Sequence, residues 1–221
     1  MRSPRYGAAK NRQERRLDLF LDAVGGATAT ARTLRTGQEQ DRYAQLMELG
    51  PAEQKKYVTD RLRLSTFTLT RFGLVAAPAG PLPGVVETLA LTLPGFAPPS
   101  GKRAFVNPNL LSRLPALPAQ AGTRQAAVWL PRASLHADTV RVHLPAGFRA
   151  EALPAAVQFS TPYGAYASQF VALPDGTVQY VRRLELKRSR LPASAYAGYA
   201  DFRRKVNIAD RAQIVLLKTE S

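Results

Sequence analysis

The chain has 221 residues, of which 45% are hydrophobic, and its formal net charge is +15. This length and hydrophobic content suffice for a buried core, which excludes a largely disordered protein. There is no cysteine, so disulfides, thiolate nucleophiles and cysteine-bound metals are excluded. No apolar run approaches the ~20 residues of a membrane-spanning helix, so we expect no membrane span.

The chain begins with a polar, basic stretch over residues 1–13, which we interpret as a flexible tail. It lacks the apolar segment of a secretory signal peptide. From Leu17 to Leu21 every second residue is a leucine, which predicts a strand with one face on the core. Gly25-Gly26 is typical of a hairpin turn, and a threonine-rich return strand follows over residues 27–35.

Two short helices are predicted after this hairpin. Tyr43, Leu46 and Met47 recur at helical spacing, and Gly50 ends that helix. Pro51 begins the second helix, at a position that its fixed φ favours. We expect the two helices to pack as a pair on one side of a sheet.

The middle of the chain returns to strands. The apolar phase slips by one residue near Arg71, which predicts a β-bulge. Residues 85–93 alternate strictly, and we expect Glu87 to lie at the exposed end of that strand. An irregular connector follows, with a candidate internal boundary near residues 114–124.

The last third has the clearest pattern. Asp175-Gly176 predicts a tight turn between two strands. Pro192 opens a helix with an aromatic stripe of Tyr196, Tyr199 and Phe202, which favours core packing over a binding platform. The final strand is apolar on both faces, which predicts a central or helix-covered position.

These patterns predict a mainly β fold. We expect an antiparallel β-sandwich with a helical pair after the first hairpin and one helix before the last strand. The division is a tail over residues 1–13 and a sandwich domain over residues 14–221.

Catalytic patterns are missing from the sequence. It has no nucleophile elbow, phosphate-binding loop or zinc-protease motif. We place His136 in a loop and His143 on a polar strand face, and both are more typical of solvated side chains than of ligands. Asp18 and Asp22 are four residues apart on one strand, or ~13 Å, too wide for a glycosidase pair. We therefore assign no catalytic, cofactor-binding or metal-binding residue.

One basic cluster is a candidate polyanion contact, with Tyr180 as a neighbouring aromatic residue. Arg182 shares a face with two leucines, so we interpret its stem as a cover for the core edge. The other basic residues are scattered, which argues against nucleic acid as the main partner. The cluster consists of Arg182, Arg183, Lys187, Arg188 and Arg190.

The last third also resembles a known domain. It is similar to the C-terminal domain that follows the transglutaminase-like core in exported bacterial proteins, which also carry an N-terminal domain of unknown function. The resemblance extends more weakly to about Leu17. The residues that carry the resemblance are Leu144-Pro145, Gly147-Phe148, Thr161-Pro162-Tyr163-Gly164, Tyr166, Asp175-Gly176, Tyr180, Arg182, Leu191-Pro192, Tyr196, Phe202, Asp210 and Ile214-Val215-Leu216.

The resemblance implies a non-catalytic accessory domain of a bacterial protein. Transglutaminase-like cores use a cysteine nucleophile, which this chain lacks, so we expect no enzyme activity. The implied partner is a transglutaminase-like core or another cell-envelope protein, and the implied location is periplasmic or extracellular. The chain would then be the detached tail of a longer exported protein. The alternative function is a basic module that binds nucleic acid, acidic polysaccharide or anionic lipid.

Overall fold

The computed structural model describes residues 7–115, 117 and 125–219. This part of the chain contains thirteen strands and three α-helices. The helices are α1 (Asp41–Met47), α2 (Pro51–Arg61) and α3 (Tyr196–Ala209). The strands are β1 (Arg12–Leu21), β2 (Ala27–Thr36), β3 (Thr68–Ala76), β4 (Gly84–Leu93), β5 (Arg103–Val106), β6 (Val128–Leu130), β7 (Ser134–His143), β8 (Phe148–Ala152), β9 (Val157–Thr161), β10 (Gly164–Ala172), β11 (Val178–Leu186), β12 (Ser189–Leu191) and β13 (Ile214–Lys218).

Eight strands form one large sheet in the order β3-β4-β2-β1-β7-β11-β10-β9. All neighbours are antiparallel except β1 and β7, which run parallel. The first hairpin, β1–β2, therefore lies inside the sheet, and the edges are β3 and β9. The predicted sandwich of mainly antiparallel strands is confirmed.

Three units cover the inner face of this sheet. The helical pair packs on the sheet with α1 against β3 and β4, and Tyr43, Leu46 and Val58 belong to the core. A second sheet, β5-β13-β8, packs over the central strands, and α3 packs over β10 and β11. Strand β13 is central in the small sheet, as its apolar pattern predicted.

Local signals in the sequence match the turns and irregularities. The register of β3 against β4 shifts between Leu69 and Arg71, which confirms the bulge. Gly176 has a φ of 79°, the left-handed conformation that glycine adopts without strain in this hairpin turn. Gly25, at a φ of 95°, also lies so close to Pro98 that a side chain there would collide with its backbone.

Glu87 and His136 do not lie where the sequence predicted. Glu87 does not lie at an exposed strand end: it is 0% exposed, because α2 and β2 place arginines around it. His136 lies in β7 and not in a loop.

The predicted division into a tail and a domain stays a prediction. Strand β1 begins at Arg12, so the last two residues of the predicted tail belong to the sheet. Residues 1–6 lie outside the described part of the chain, and so does most of the predicted boundary at 114–124.

Candidate functional site

A row of polar side chains crosses the buried face of the large sheet. Its members are directly opposite one another in the strand register, from β4 through β2, β1, β7 and β11 to β10. All of them are buried. In spatial order they are Glu87, Thr33, Arg15, Asp138, Arg182 and Ser168. We call this set the polar row.

The polar row lies in the same strand phase as the apolar core. Arg15 is two residues before Leu17, so both side chains point inward. Arg182 lies between Tyr180 and Leu184 on the inner face of β11. Tyr180 belongs to the main hydrophobic cluster and Leu184 to the cluster around α3, so the row separates the two clusters on this strand. Buried charges are tolerated only when they are paired, and pairing therefore decides what each part of the row can do.

At the β11 end, Arg182 is surrounded by carboxylates. Its Nε donates to Asp210 Oδ1 at 2.6 Å, and its Nη2 donates to Asp210 Oδ2 at 2.9 Å. Its Nη1 donates to Asp138 Oδ2 at 3.1 Å. This two-pronged pairing of a guanidinium with a carboxylate is among the strongest polar contacts in proteins. Burial alone would lower the pKa of Arg182, but the two aspartates raise it above its ordinary value.

Asp210 is held at the C-terminal end of α3. A carboxylate there is opposed by the helix dipole, and the Arg182 guanidinium compensates for it. The Tyr166 hydroxyl donates to Asp210 Oδ1 at 2.8 Å. Burial, together with the Asp210 charge, raises the pKa of Tyr166 to about 12. The Asn107 amide donates to the Asp210 carbonyl and ties the loop after β5 to the same point.

In the centre of the row, Arg15 has mainly neutral partners. Its Nε donates to Thr33 Oγ1 at 3.0 Å, and its Nη1 donates to Ser112 Oγ at 2.6 Å. The nearest carboxylate oxygen is Asp138 Oδ1, at 3.5 Å. Burial, only partly offset by Asp138, lowers the pKa of Arg15, and the charge of Arg35 lowers it further.

At the β4 end, one carboxylate serves two arginines. Glu87 Oε2 accepts from Arg35 at 3.0 Å, and Oε1 accepts from Arg61 at 2.7 Å. The Arg35 guanidinium lies 3.7 Å from the centre of the Tyr43 ring. Burial alone would raise the pKa of Glu87, but Arg35, Arg61 and Arg15 hold it below its ordinary value of 4.5.

Two donors at this end lack an acceptor. Arg35 Nη1 and Arg61 Nε are buried without a hydrogen-bond partner in the part of the chain that the structure describes. A buried, unsatisfied guanidinium nitrogen is unfavourable, and native structures hold few of them. This end therefore has more positive charge and more donors than its own carboxylate can satisfy.

A cavity of about 450 Å³ opens beside Arg15, in the centre of the row, and Arg61, which pairs with Glu87 at the β4 end. Among the described residues, four arginines line it: Arg15, Arg61, Arg63 and Arg113. Arg63 and Arg113 are exposed at its surface, and no described carboxylate forms an ion pair with either. Gln13, five leucines and a proline complete the wall, and it contains no acidic residue among the described residues. We call it the arginine cavity.

The predicted basic cluster is divided by the structure. Arg182 does not cover the core edge with its stem: its guanidinium is 0% exposed and paired inside the polar row, so it is not available to an external polyanion. Tyr180 is buried as well. The exposed aromatic beside the cluster is Trp129 on β6, which lies under Arg188 and is 55% exposed. The other four cluster members, Arg183, Lys187, Arg188 and Arg190, are exposed.

The histidines and the paired aspartates do not form one site. His143 Nε2 lies 3.0 Å from Asp18 Oδ1 and stacks on Phe20 on the outer face of the sheet. His136 is 3.7 Å from Glu39, elsewhere in the fold. Asp22 caps the turn of the first hairpin through backbone N–H groups. Within the described ranges, no three His, Asp or Glu side chains are grouped so that they could hold a metal ion.

The aromatic stripe of α3 behaves as predicted. Tyr199 and Phe202 are buried, Phe159 lies edge-on against Phe202, and Tyr196 is half-buried. The sequence analysis did not identify Arg15 and Arg35, and it placed Glu87 at an exposed strand end. The available signal was their position: each is a charged residue in the inward phase of a strand.

Fold and site together define a mainly β domain with ion pairs buried between its layers. A family model for a domain of unknown function with a solved structure, DUF3858, matches residues 102–216. This is more than half of the chain, which therefore belongs to that family. The match begins just before β5 and includes Asp138, Arg182 and Asp210, but not Arg15 or Glu87.

A similar solved structure is that of a "putative protease" from Parabacteroides distasonis ATCC 8503. The two share 17% sequence identity over 52% of this chain, with a TM-score of 0.41. The aligned region is 23% of the other chain. No curated protein matches this sequence. Within the described residues, no helix combines the length and apolar character that crossing a membrane requires.

Proposed function

We propose that this chain is a non-catalytic accessory domain that binds another molecule. The observation that supports the proposal is the pairing of the buried carboxylates with arginines. The inward-facing carboxylates Glu87, Asp138 and Asp210 are all engaged by arginines, so none is free to act as a general base. The charged groups among the described residues that line the arginine cavity are guanidiniums, which bind anions but cannot exchange a proton near neutral pH.

The partner that we propose is a transglutaminase-like catalytic core or another cell-envelope protein, in the periplasm or outside the cell. The resemblance of the last third to domains that follow such cores supports this partner. Several of the residues that carry this resemblance also have packing roles in the structure. Gly164 has no room for a side chain, because a Cβ would lie 2.1 Å from the Glu185 carbonyl oxygen. Tyr166 and Asp210 belong to the network around Arg182.

A screen of the purified domain for hydrolase and transamidation activity tests the proposal. We expect no turnover above background. Turnover that a single substitution at a polar residue abolishes would contradict it, and D18N at the His143–Asp18 pair is the first variant to compare. Co-purification with the product of the neighbouring reading frame then tests the proposed partner.

A second candidate function is the binding of polyanions. It is favoured by the four exposed cations Arg183, Lys187, Arg188 and Arg190 beside the exposed ring of Trp129. A cation-rich strand end with an exposed aromatic is the combination that contacts phosphates and stacked bases.

Two matched variants separate this function from a general effect of charge. The first changes all four cluster residues to glutamine, and the second changes Arg16, Arg32, Arg71 and Arg141, which are also exposed. Binding of single-stranded DNA or heparin should be lost in the first variant and largely kept in the second, and it should weaken steeply with salt. Equal losses in the two variants, or binding that does not respond to salt, would reject a specific site.

A further inference from the structure

The arginine cavity brings together more positive charge than its surroundings neutralise. Arg61 shares the carboxylate of Glu87 with Arg35, and Arg15 has its nearest carboxylate at 3.5 Å. Arg113 Nε donates to the Asn109 carbonyl, which carries no full charge. Together with the exposed Arg63, four guanidiniums therefore line one opening. A site of this kind favours a bound anion, because the anion removes their mutual repulsion.

The cavity also has an apolar wall. Leu62, Leu64, Leu110, Leu111 and Leu114 line it next to the arginines. A bare inorganic anion would leave this surface in contact with water. A ligand with an acidic group and a short hydrocarbon part would satisfy both sides of the cavity, because burial of its apolar part adds to the charge attraction.

We infer that the arginine cavity binds the carboxylate group of a small amphipathic ligand, with the ligand's apolar part against the leucines. This inference rests on the proposed binding function and names the class of ligand. The planar guanidinium fork pairs with a carboxylate through two parallel hydrogen bonds, as Arg182 does with Asp210 in this fold. The exposed guanidiniums of Arg63 and Arg113 can form such a contact at the mouth of the cavity.

Four probes separate the acidic from the apolar contribution. Amide NMR titrations of the whole chain at pH 7 and constant ionic strength would compare sodium hexanoate, sodium acetate, 1-hexanol and inorganic phosphate. Hexanoate should bind and shift amides around residues 61–64 and 110–114. Acetate and phosphate should bind roughly tenfold more weakly, because neither covers the apolar wall, and hexanol should give no saturable shift at the same concentrations.

The decisive variant is the double substitution R63Q/R113Q. Both side chains are exposed, so the fold should tolerate their replacement. Hexanoate binding should weaken at least about tenfold, since each guanidinium supplies a charge-assisted hydrogen bond. The matched control R16Q/R32Q removes the same charge from the outer face of the sheet and should bind as the wild type does. R63K/R113K keeps the charge without the fork and should recover part of the affinity.

Three results would overturn the inference. They are the absence of a saturable hexanoate shift, equal hexanoate binding in wild type and R63Q/R113Q, and phosphate or acetate binding as tight as that of hexanoate. None of these results depends on turnover. A failure of the carboxylate site therefore leaves the non-catalytic role to be decided by the activity screen, and turnover in that screen would leave the binding result intact.

Discussion

The two ends of the polar row differ in how their charges are balanced. At the β11 end, one arginine, Arg182, faces two aspartates and is completely enclosed. At the β4 end, one glutamate faces Arg35 and Arg61, with Arg15 beyond Thr33, and the arginine cavity adjoins this end. We call these the closed end and the open end.

The contrast teaches that burial of ion pairs serves two purposes in one sheet. A buried pair contributes little net stability compared with apolar packing, but removing one partner is strongly destabilising. At the closed end, the Arg182–Asp210 pair joins the end of α3 to the sheet. The open end has surplus guanidinium donors, which a structural role does not require.

The largest effect should come from R182M at the closed end. The substitution leaves Asp138 and Asp210 buried without their shared guanidinium, so the free energy of unfolding should fall by about 4–5 kcal/mol. Urea unfolding, monitored by circular dichroism, measures this loss in the free energy of unfolding. The control R183Q changes the next, exposed arginine and should stay within about 0.5 kcal/mol of wild type. If R182M gives no cooperative transition, R182K replaces it, with a smaller loss. A loss below about 1 kcal/mol in both variants would contradict the claim that Arg182 compensates two buried carboxylates at the closed end.

E87Q at the open end should have the second largest effect. It removes the carboxylate between Arg35 and Arg61, and the expected loss is about 3 kcal/mol because the amide oxygen still accepts one hydrogen bond. If this end accepts external anions, added hexanoate should restore part of the loss in E87Q and none in R182M. Equal recovery in the two variants, measured by urea unfolding, would remove the distinction between the ends.

Tyr166 at the closed end and Tyr43 at the open end allow a second comparison of stability, with smaller expected effects. Tyr166 donates to Asp210 in the enclosed end, while Tyr43 accepts from the half-exposed Arg61. Y166F should therefore lower the free energy of unfolding by about 2 kcal/mol and Y43F by about 1 kcal/mol. Thermal unfolding of the two variants side by side provides the test, and a larger loss in Y43F would reverse the assignment of the ends.

The stability of the open end should also depend on pH. The pKa of Glu87 is lower in the folded chain than its ordinary value of 4.5, so its contribution is fully present above about pH 4.5. That contribution is lost as the pH falls through the folded pKa. Urea unfolding between pH 6 and pH 3 should therefore show a shallower decline in E87Q than in the wild type. Parallel declines would show that this carboxylate is not held by the arginines.

The smallest effect should come from R63Q alone. Arg63 is exposed at the mouth of the arginine cavity, so its loss should change the free energy of unfolding by less than about 0.5 kcal/mol. Hexanoate binding should weaken in the same variant. Unchanged stability combined with weaker binding would mark a binding residue, while a large loss of stability would mark a structural one.

The sequence predicted the local parts of this fold and few of the distant ones. Alternating leucines predicted β1, the phase slip predicted the bulge before Arg71, and Asp175-Gly176 predicted a hairpin turn, because each depends on neighbouring residues. Glu87 was wrongly placed at an exposed strand end, since its partners Arg35 and Arg61 come from other elements. Arg182 was assigned to the core edge because Asp210 is 28 residues away along the chain.

One measurement tests the difference between the two ends directly. It is the ¹⁵N–¹H spectrum of the arginine Nε groups, recorded during a hexanoate titration. Single Arg-to-Lys substitutions assign the resonances. The Nε of Arg182 is bonded to Asp210, and the Nε of Arg61 has no described partner. We predict that the signals of Arg61, Arg63 and Arg113 shift with one common dissociation constant while the Arg182 signal stays fixed. Shifts of equal size at Arg182, or no shift at Arg61, would contradict the claim that the open end binds the carboxylate and the closed end does not.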